Sequence, residues 1–152
     1  MLVMRKIAIL LAASAVAFAA CTGMGSGTAS TSAPPASTVV AADSDFDLAV
    51  GHSAHVDGTA FTIIFNGVTA DSRCPLGVFC IQAGNATVSL TITDGAGTKT
   101  PVFLYSNPTQ QTQTSAKVAG YEISLVAVQP IRRREVTIPP ESYIATLHVS
   151  KI

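Results

Sequence analysis

Ala86-Thr87-Val88-Ser89-Leu90-Thr91-Ile92-Thr93 is the stretch on which the reading of the fold turns. Apolar and hydroxyl side chains alternate through it without a break. In an extended chain successive side chains point to opposite faces. Ala86, Val88, Leu90 and Ile92 therefore line one face, and Thr87, Ser89, Thr91 and Thr93 the other. A helix would scatter both sets around its axis. The pattern is that of an antiparallel strand with one face on a core and one toward water.

The same period of two recurs on either side. Tyr143, Ala145, Leu147 and Val149 alternate against Ile144, Thr146, His148 and Ser150, and Phe61, Ile63 and Phe65 make a third apolar face. The run Tyr121 to Gln129 begins with Tyr121, Ile123 and Leu125 in phase and then turns apolar on both faces at Val126 and Val128, which predicts a bulge or a doubly covered strand. Shorter runs lie at Phe46 to Val50, Ser53 to Val56 and Pro101 to Tyr105. Pro101 donates no backbone N–H, so its strand belongs at a sheet edge. Asp57-Gly58, Asn66-Gly67 and Asp94-Gly95-Ala96-Gly97 supply turn chemistry between the runs. No segment of this region keeps a helical period. About seven short strands predict an all-β, antiparallel two-sheet sandwich of immunoglobulin-like form, with a small barrel as the alternative. The chain has no Trp, so an antibody-type domain is not expected.

Ahead of this domain the chain changes character twice. Residues 1–20 have a secretory signal's parts: Arg5 and Lys6, an uncharged apolar run from Ile7 to Phe18, then Ala19 and Ala20. The run is too short for a permanent bilayer span, which needs about 20 residues. Phe18-Ala19-Ala20-Cys21 resembles the lipobox of bacterial lipoproteins, with Phe18 in the place more often held by Leu. The resemblance implies diacylglycerol on the Cys21 sulfur, cleavage before it and acylation of the new amino group. One acyl chain anchors a protein marginally, whereas several hold it firmly. Thr22 stands where Asp would signal inner-membrane retention, so the expected address is the cell envelope, at the outer membrane if the cell has one.

Residues 21–42 then read as a flexible linker of Ser, Thr, Gly, Ala and Pro, with Pro34-Pro35 stiffening it. Such a composition does not bury enough surface to offset its ordering entropy. About 20 residues of this kind reach on the order of 25 Å. The sandwich is expected over residues 43–152. With Arg5 and Lys6 set aside, seven Lys and Arg face nine Asp and Glu. Near-neutrality argues against nucleic acid and against a polybasic membrane surface. Arg132-Arg133-Arg134 is the one local charge block and reads as a solvated loop.

If Cys21 carries lipid, Cys74 and Cys80 are left as an even pair in an oxidising compartment, where disulfides persist. They sit in the most distinctive loop, Asp71-Ser72-Arg73-Cys74-Pro75-Leu76-Gly77-Val78-Phe79-Cys80-Ile81-Gln82-Ala83-Gly84-Asn85. A bond between them closes a seven-residue ring, worth roughly 2.4 kcal/mol on the chain-entropy account. Pro75 and Gly77 favour a tight turn within it. Asp71 is placed to accept backbone N–H bonds as an Asx-turn and to pair with Arg73. Asp-Ser-Arg-Cys-Pro, the second Cys and Ala-Gly-Asn-Ala together resemble a segment recurring in a family of small secreted proteins and lipoproteins of bacteria. The early Phe-Asp-Leu-x-Val-Gly and the closing Tyr-x-Ala-x-Leu-x-Val fit it more loosely. The resemblance implies this fold and this disulfide and carries no activity. Where the family pattern has an aromatic residue two places after the second cysteine, this chain has Gln82.

Catalytic and metal constellations are not evident. His52 and His55, three apart in a strand, face opposite ways, and His148 falls on a polar face. Cys74 and Cys80 lack the close spacing of a zinc ribbon or a redox pair, and no Gly-x-Ser-x-Gly elbow occurs. The expectation is a non-catalytic binding module without metal or cofactor, held to a membrane by its lipid and meeting a protein or other envelope ligand. Its presented surface is expected to be the stapled loop, with Asp71, Arg73, Pro75, Gln82 and Asn85 as the candidates. The alternatives are an inhibitor-like domain presenting Arg73 or a ring residue, and a hydrolase assembled from separated residues. Cys21→Ser is expected to move the protein from the membrane to the soluble fraction; retention in the membrane pellet would refute the lipid anchor.

Overall fold

Because its apolar side chains recur every second residue, Ala86–Thr93 buries one whole edge of its pleat. In the computed structural model, which describes residues 36–109 and 113–152, Ala86, Val88, Leu90 and Ile92 are fully buried and the residues between them half-buried. The other alternating runs behave alike: Phe61, Ile63, Phe65, Tyr143, Ala145, Leu147 and Val149 all enter the same core.

Nine strands form among the described residues: β1 (Ser37–Val40), β2 (Ser44–Ala49), β3 (Ser53–Val56), β4 (Thr62–Asp71), β5 (Ala86–Thr93), β6 (Lys99–Tyr105), β7 (Ser115–Val118), β8 (Tyr121–Gln129) and β9 (Ile144–Lys151). One sheet has the order β1-β3-β4-β5-β6 and the other β2-β9-β8-β7. Every neighbouring pair is antiparallel except β1 with β3. The two sheets enclose the apolar core as a β-sandwich. Strands β3 to β6 and β7 to β9 run in chain order within their sheets, whereas immunoglobulin domains interleave theirs. The two strands beyond the expected seven include β1 and the short β7.

Two irregularities were written in the side chains. At β8 the register against β9 shifts between Leu125 and Ala127. Leu125 and Val128 are both buried while Val126 is exposed, so one extra residue changes the strand's phase. Pro101 lies in β6, an edge strand, where a missing N–H is tolerated. Two more bulges, between Phe65 and Gly67 and between Val68 and Ala70, bend β4 as it leaves the core.

The signal segment, Cys21 and most of the expected linker lie outside the described residues. The sandwich nevertheless begins before Asp43. Ser37–Val40, assigned to the linker by composition, pairs in parallel with Ser53–Val56, and Val40 is buried. An edge strand draws its hydrogen bonds from a neighbour, so four small residues need little apolar content of their own to join a sheet. Among the described residues no helix is long and apolar enough to cross a membrane.

The strand directions define two ends. β4, β6 and β8 run toward the end that holds residues 72–85, 106–109 and 130–143, hereafter the stapled end; β5 and β9 run away from it. The β1–β3 pairing makes β1 run away from that end too, with Ser37 level with Ser53 and Ile64 in the half of the sheet far from Asp71. Leu90→Ala is expected to cost about 2–5 kcal/mol in denaturant unfolding. Thr93→Ala, on the opposite face of β5, should cost about 1 kcal/mol or less.

Candidate functional site

β4 and β5 do not stop at the sheet. Backbone bonds from Ser72 N to Asn85 O (2.7 Å) and from Cys74 N to Ala83 O (3.0 Å) carry their pairing onward as a narrow hairpin. Ser72 Oγ donates to Asn85 O and accepts from Asn85 N. Gly84 makes this approach possible: with φ +68°, a Cβ there would fall 1.8 Å from the Ser72 carbonyl oxygen. Beyond this neck the Cys74–Cys80 disulfide closes the ring, with Cα atoms 6.0 Å apart. Inside it Val78 N donates to Pro75 O (3.2 Å) across a turn with Gly77 at φ +79°. The pairing and the turn are those expected from the cysteine count and from Pro75 and Gly77.

At the neck, Asp71 and Arg73 form a clasp between the two sheets. Asp71 Oδ1 accepts from Arg73 N (3.1 Å) and Nε (2.9 Å), and Oδ2 from Arg73 Nη2 (2.7 Å) and the Tyr143 hydroxyl (3.1 Å). Arg73 spends its remaining donors on carbonyls next to the opposite sheet: Nη1 on Val128 and Nη2 on Pro130 (3.0 Å). Tyr143 immediately precedes β9, so it also reaches across from that sheet. Burial alone would raise the Asp71 carboxyl, but the Arg73 bonds and charge, with the Tyr143 hydroxyl, hold it below the usual carboxylate range. Burial first, and then the bond to Asp71, pushes the Tyr143 phenol up. A fully engaged, ionised carboxylate beside a protonated phenol holds structure together; neither group is poised to move a proton near neutral pH.

The loop of residues 130–143 is tied to the same place. Leu76 N donates to Arg132 O (2.8 Å), and Arg132 Nη1 donates to Arg73 O (3.1 Å). Arg133 and Arg134 stay exposed, as expected of a solvated run, with Arg134 loosely paired to Glu135. On the other flank Asn85 Oδ1 accepts from Ser106 Oγ (3.2 Å) and Asn107 N (3.0 Å). An open cleft of ≈ 550 Å³ runs there, lined by Ser72, Gln82, Ala83, Gly84, Asn85, Asn107 and Thr109. Its walls carry amides and hydroxyls and no titratable side chain.

The five expected interaction residues thus divide. Asp71 and Arg73 turn inward as the clasp, and Asn85 is part-buried in the network joining two loops. Pro75 is half-buried in the turn; Gln82 is exposed at the cleft. What the ring presents instead is apolar. Phe79 is 97% exposed, Ile81 99% and Leu76 60%, with Val78 partly exposed beside them. Left in water, Phe79 and Ile81 each forgo about 1.5–3 kcal/mol of burial. Sequence reasoning passed over them, although Leu76, Val78, Phe79 and Ile81 in a loop without strand alternation were the available signal. The histidines do not converge: His55 Nδ1 lies 3.1 Å from Thr62 Oγ1 and His148 Nδ1 2.7 Å from Asp45 Oδ1. Among the described residues no group of three or more His, Cys, Asp or Glu is placed to hold a metal.

Asp71→Asn leaves Arg73 without its anion and should cost about 2–4 kcal/mol at pH 7. Since folding lowers the Asp71 pKa, the clasp contributes fully above the unfolded-chain value of about 3.9. Its contribution drains away as the pH falls from there through the lower folded value. Urea titrations should therefore show the gap between wild type and Asp71→Asn narrowing below about pH 4; a gap unchanged by acid would refute the ionised clasp. Comparison with protein-family models, with curated proteins and with solved structures finds no match to this chain.

Proposed function

We propose that this chain is an envelope lipoprotein whose sandwich is a non-catalytic binding module, held by lipid on Cys21 and presenting its stapled end. The observation that carries the binding reading is the exposure of Phe79 and Ile81 on a loop fastened by a disulfide, a paired neck and an ionic clasp. A soluble domain gains nothing by fixing bare aromatic and aliphatic side chains in water; such positions mark contact with something apolar. Rigidity adds to the reading, because a loop already ordered loses little entropy when it binds. The lipobox-like Phe18-Ala19-Ala20-Cys21 and the uncharged linker support the anchor.

An inhibitor-like domain presenting Arg73 is disfavoured by the commitment of that side chain to Asp71, Val128 and Pro130. A ring-presenting inhibitor would have to use an apolar residue, Leu76, Val78 or Phe79. For a hydrolase, Asp45 and Asp47 line an open cleft away from the clasp, but each is already bonded, Asp45 to His148 and Asp47 to Thr146. The test is capture from envelope extracts by the full-length protein and by its Phe79→Ser/Ile81→Ser variant. Wild type should retain an envelope component, protein or lipid, at least tenfold better than the variant, an effect on the order of the apolar burial lost. Equal recovery would refute the stapled end as the binding surface.

A further inference from the structure

The stapled end has the makeup of a surface that enters a lipid interface. Phe79 and Ile81 flank Cys80, which places their Cα atoms within about 7 Å of each other. Both stand almost wholly free of the protein. Protein-binding anchors are characteristically met by pockets and rims, whereas a bare apolar projection matches a fluid acyl layer. Next to it, Leu76 pairs with Arg133, and this bridge sets the run Arg132-Arg133-Arg134 beside the ring. Residues 72–85 contain no acidic side chain; Arg73 is neutralised by Asp71 and Arg134 is loosely paired to Glu135, while Arg133 stands exposed. The opposite end carries Asp43, Asp57 and Asp94 in its turns and Lys99, Lys117 and Lys151 on the strand ends beside them. What sets the stapled end apart is therefore its apolar tip with exposed arginine beside it.

We propose that Phe79 and Ile81 insert into the interfacial layer of a phospholipid bilayer bearing anionic headgroups, with Arg133 and Arg134 on the headgroups. This rests on the binding-module reading and names its partner: lipid, contacted directly by the domain. The apolar side chains enter the headgroup–acyl boundary, while the arginines draw the end toward negative charge.

The sequence contains no Trp, so a Trp introduced at position 79 is the sole indole of the protein. The full-length Phe79→Trp protein is reconstituted in vesicles of phosphatidylcholine and phosphatidylglycerol, alongside Val39→Trp, an exposed position on β1. The expected result is a blue-shifted Phe79→Trp emission quenched by brominated acyl chains, with Val39→Trp emission unshifted and unquenched. Arg133→Glu and Arg134→Glu in the Phe79→Trp background should each weaken quenching roughly fivefold, and raised salt should weaken it as well. An emission at position 79 that stays solvent-like, or quenching that is equal at positions 39 and 79, overturns the proposal. If it fails while capture from extracts still depends on Phe79 and Ile81, the binding module stands with a protein partner. Failure of both removes the module reading too.

Discussion

A sandwich of two sheets can slide or splay at its open ends, where strands leave the core and apolar packing thins out. Here the Asp71–Arg73 clasp resists that at the stapled end. The carboxylate sits at the tip of β4, and the guanidinium that neutralises it hands its other donors to Val128 and Pro130 next to the opposite sheet. Tyr143 closes the loop of contacts from the start of β9. An ion pair of this kind adds little by its attraction alone, since desolvation offsets much of it. Its effect is positional: a charge left without these partners is costly, so alternative placements of the neck are excluded.

Everything outward of the neck inherits that position. The disulfide is local, joining cysteines six positions apart, and by itself would stiffen a ring that could still swing. The neck pairing at Ser72–Asn85, the clasp and the Leu76–Arg132 bond turn the stiff ring into a fixed one. Orientation and rigidity have different sources, one non-local and electrostatic, the other covalent. Together they hold Phe79 and Ile81 in the open, where packing against the protein's own core is out of reach.

Much of the sandwich could be read from the chain because its strands are each half-buried, and half-burial imprints a period of two. The bulge in β8 was visible for the same reason, as a change of phase at Val126 and Val128. β1 was not visible, because Ser37–Val40 is held by the backbone of β3 more than by its own side chains. The Asp71–Arg73 contact was foreseeable as a local turn. Its reach to β8 was not, and that reach reverses the role of Arg73 from presented residue to internal fastener.

The order of residues alone determined the all-β class, the faces of the main strands and the eligibility of Cys74 and Cys80 to pair. Each follows from short-range periodicity or from counting, and needs no knowledge of what lies across the fold. Tertiary structure decided which side chains of the stapled loop point in and which point out. That choice depends on partners 55 to 72 residues away, Val128, Pro130 and Tyr143, and no local pattern encodes them. A polar residue such as Arg73 is buried there because acceptors wait for it, and an apolar one such as Phe79 is exposed because the clasp and the disulfide leave it nowhere to turn.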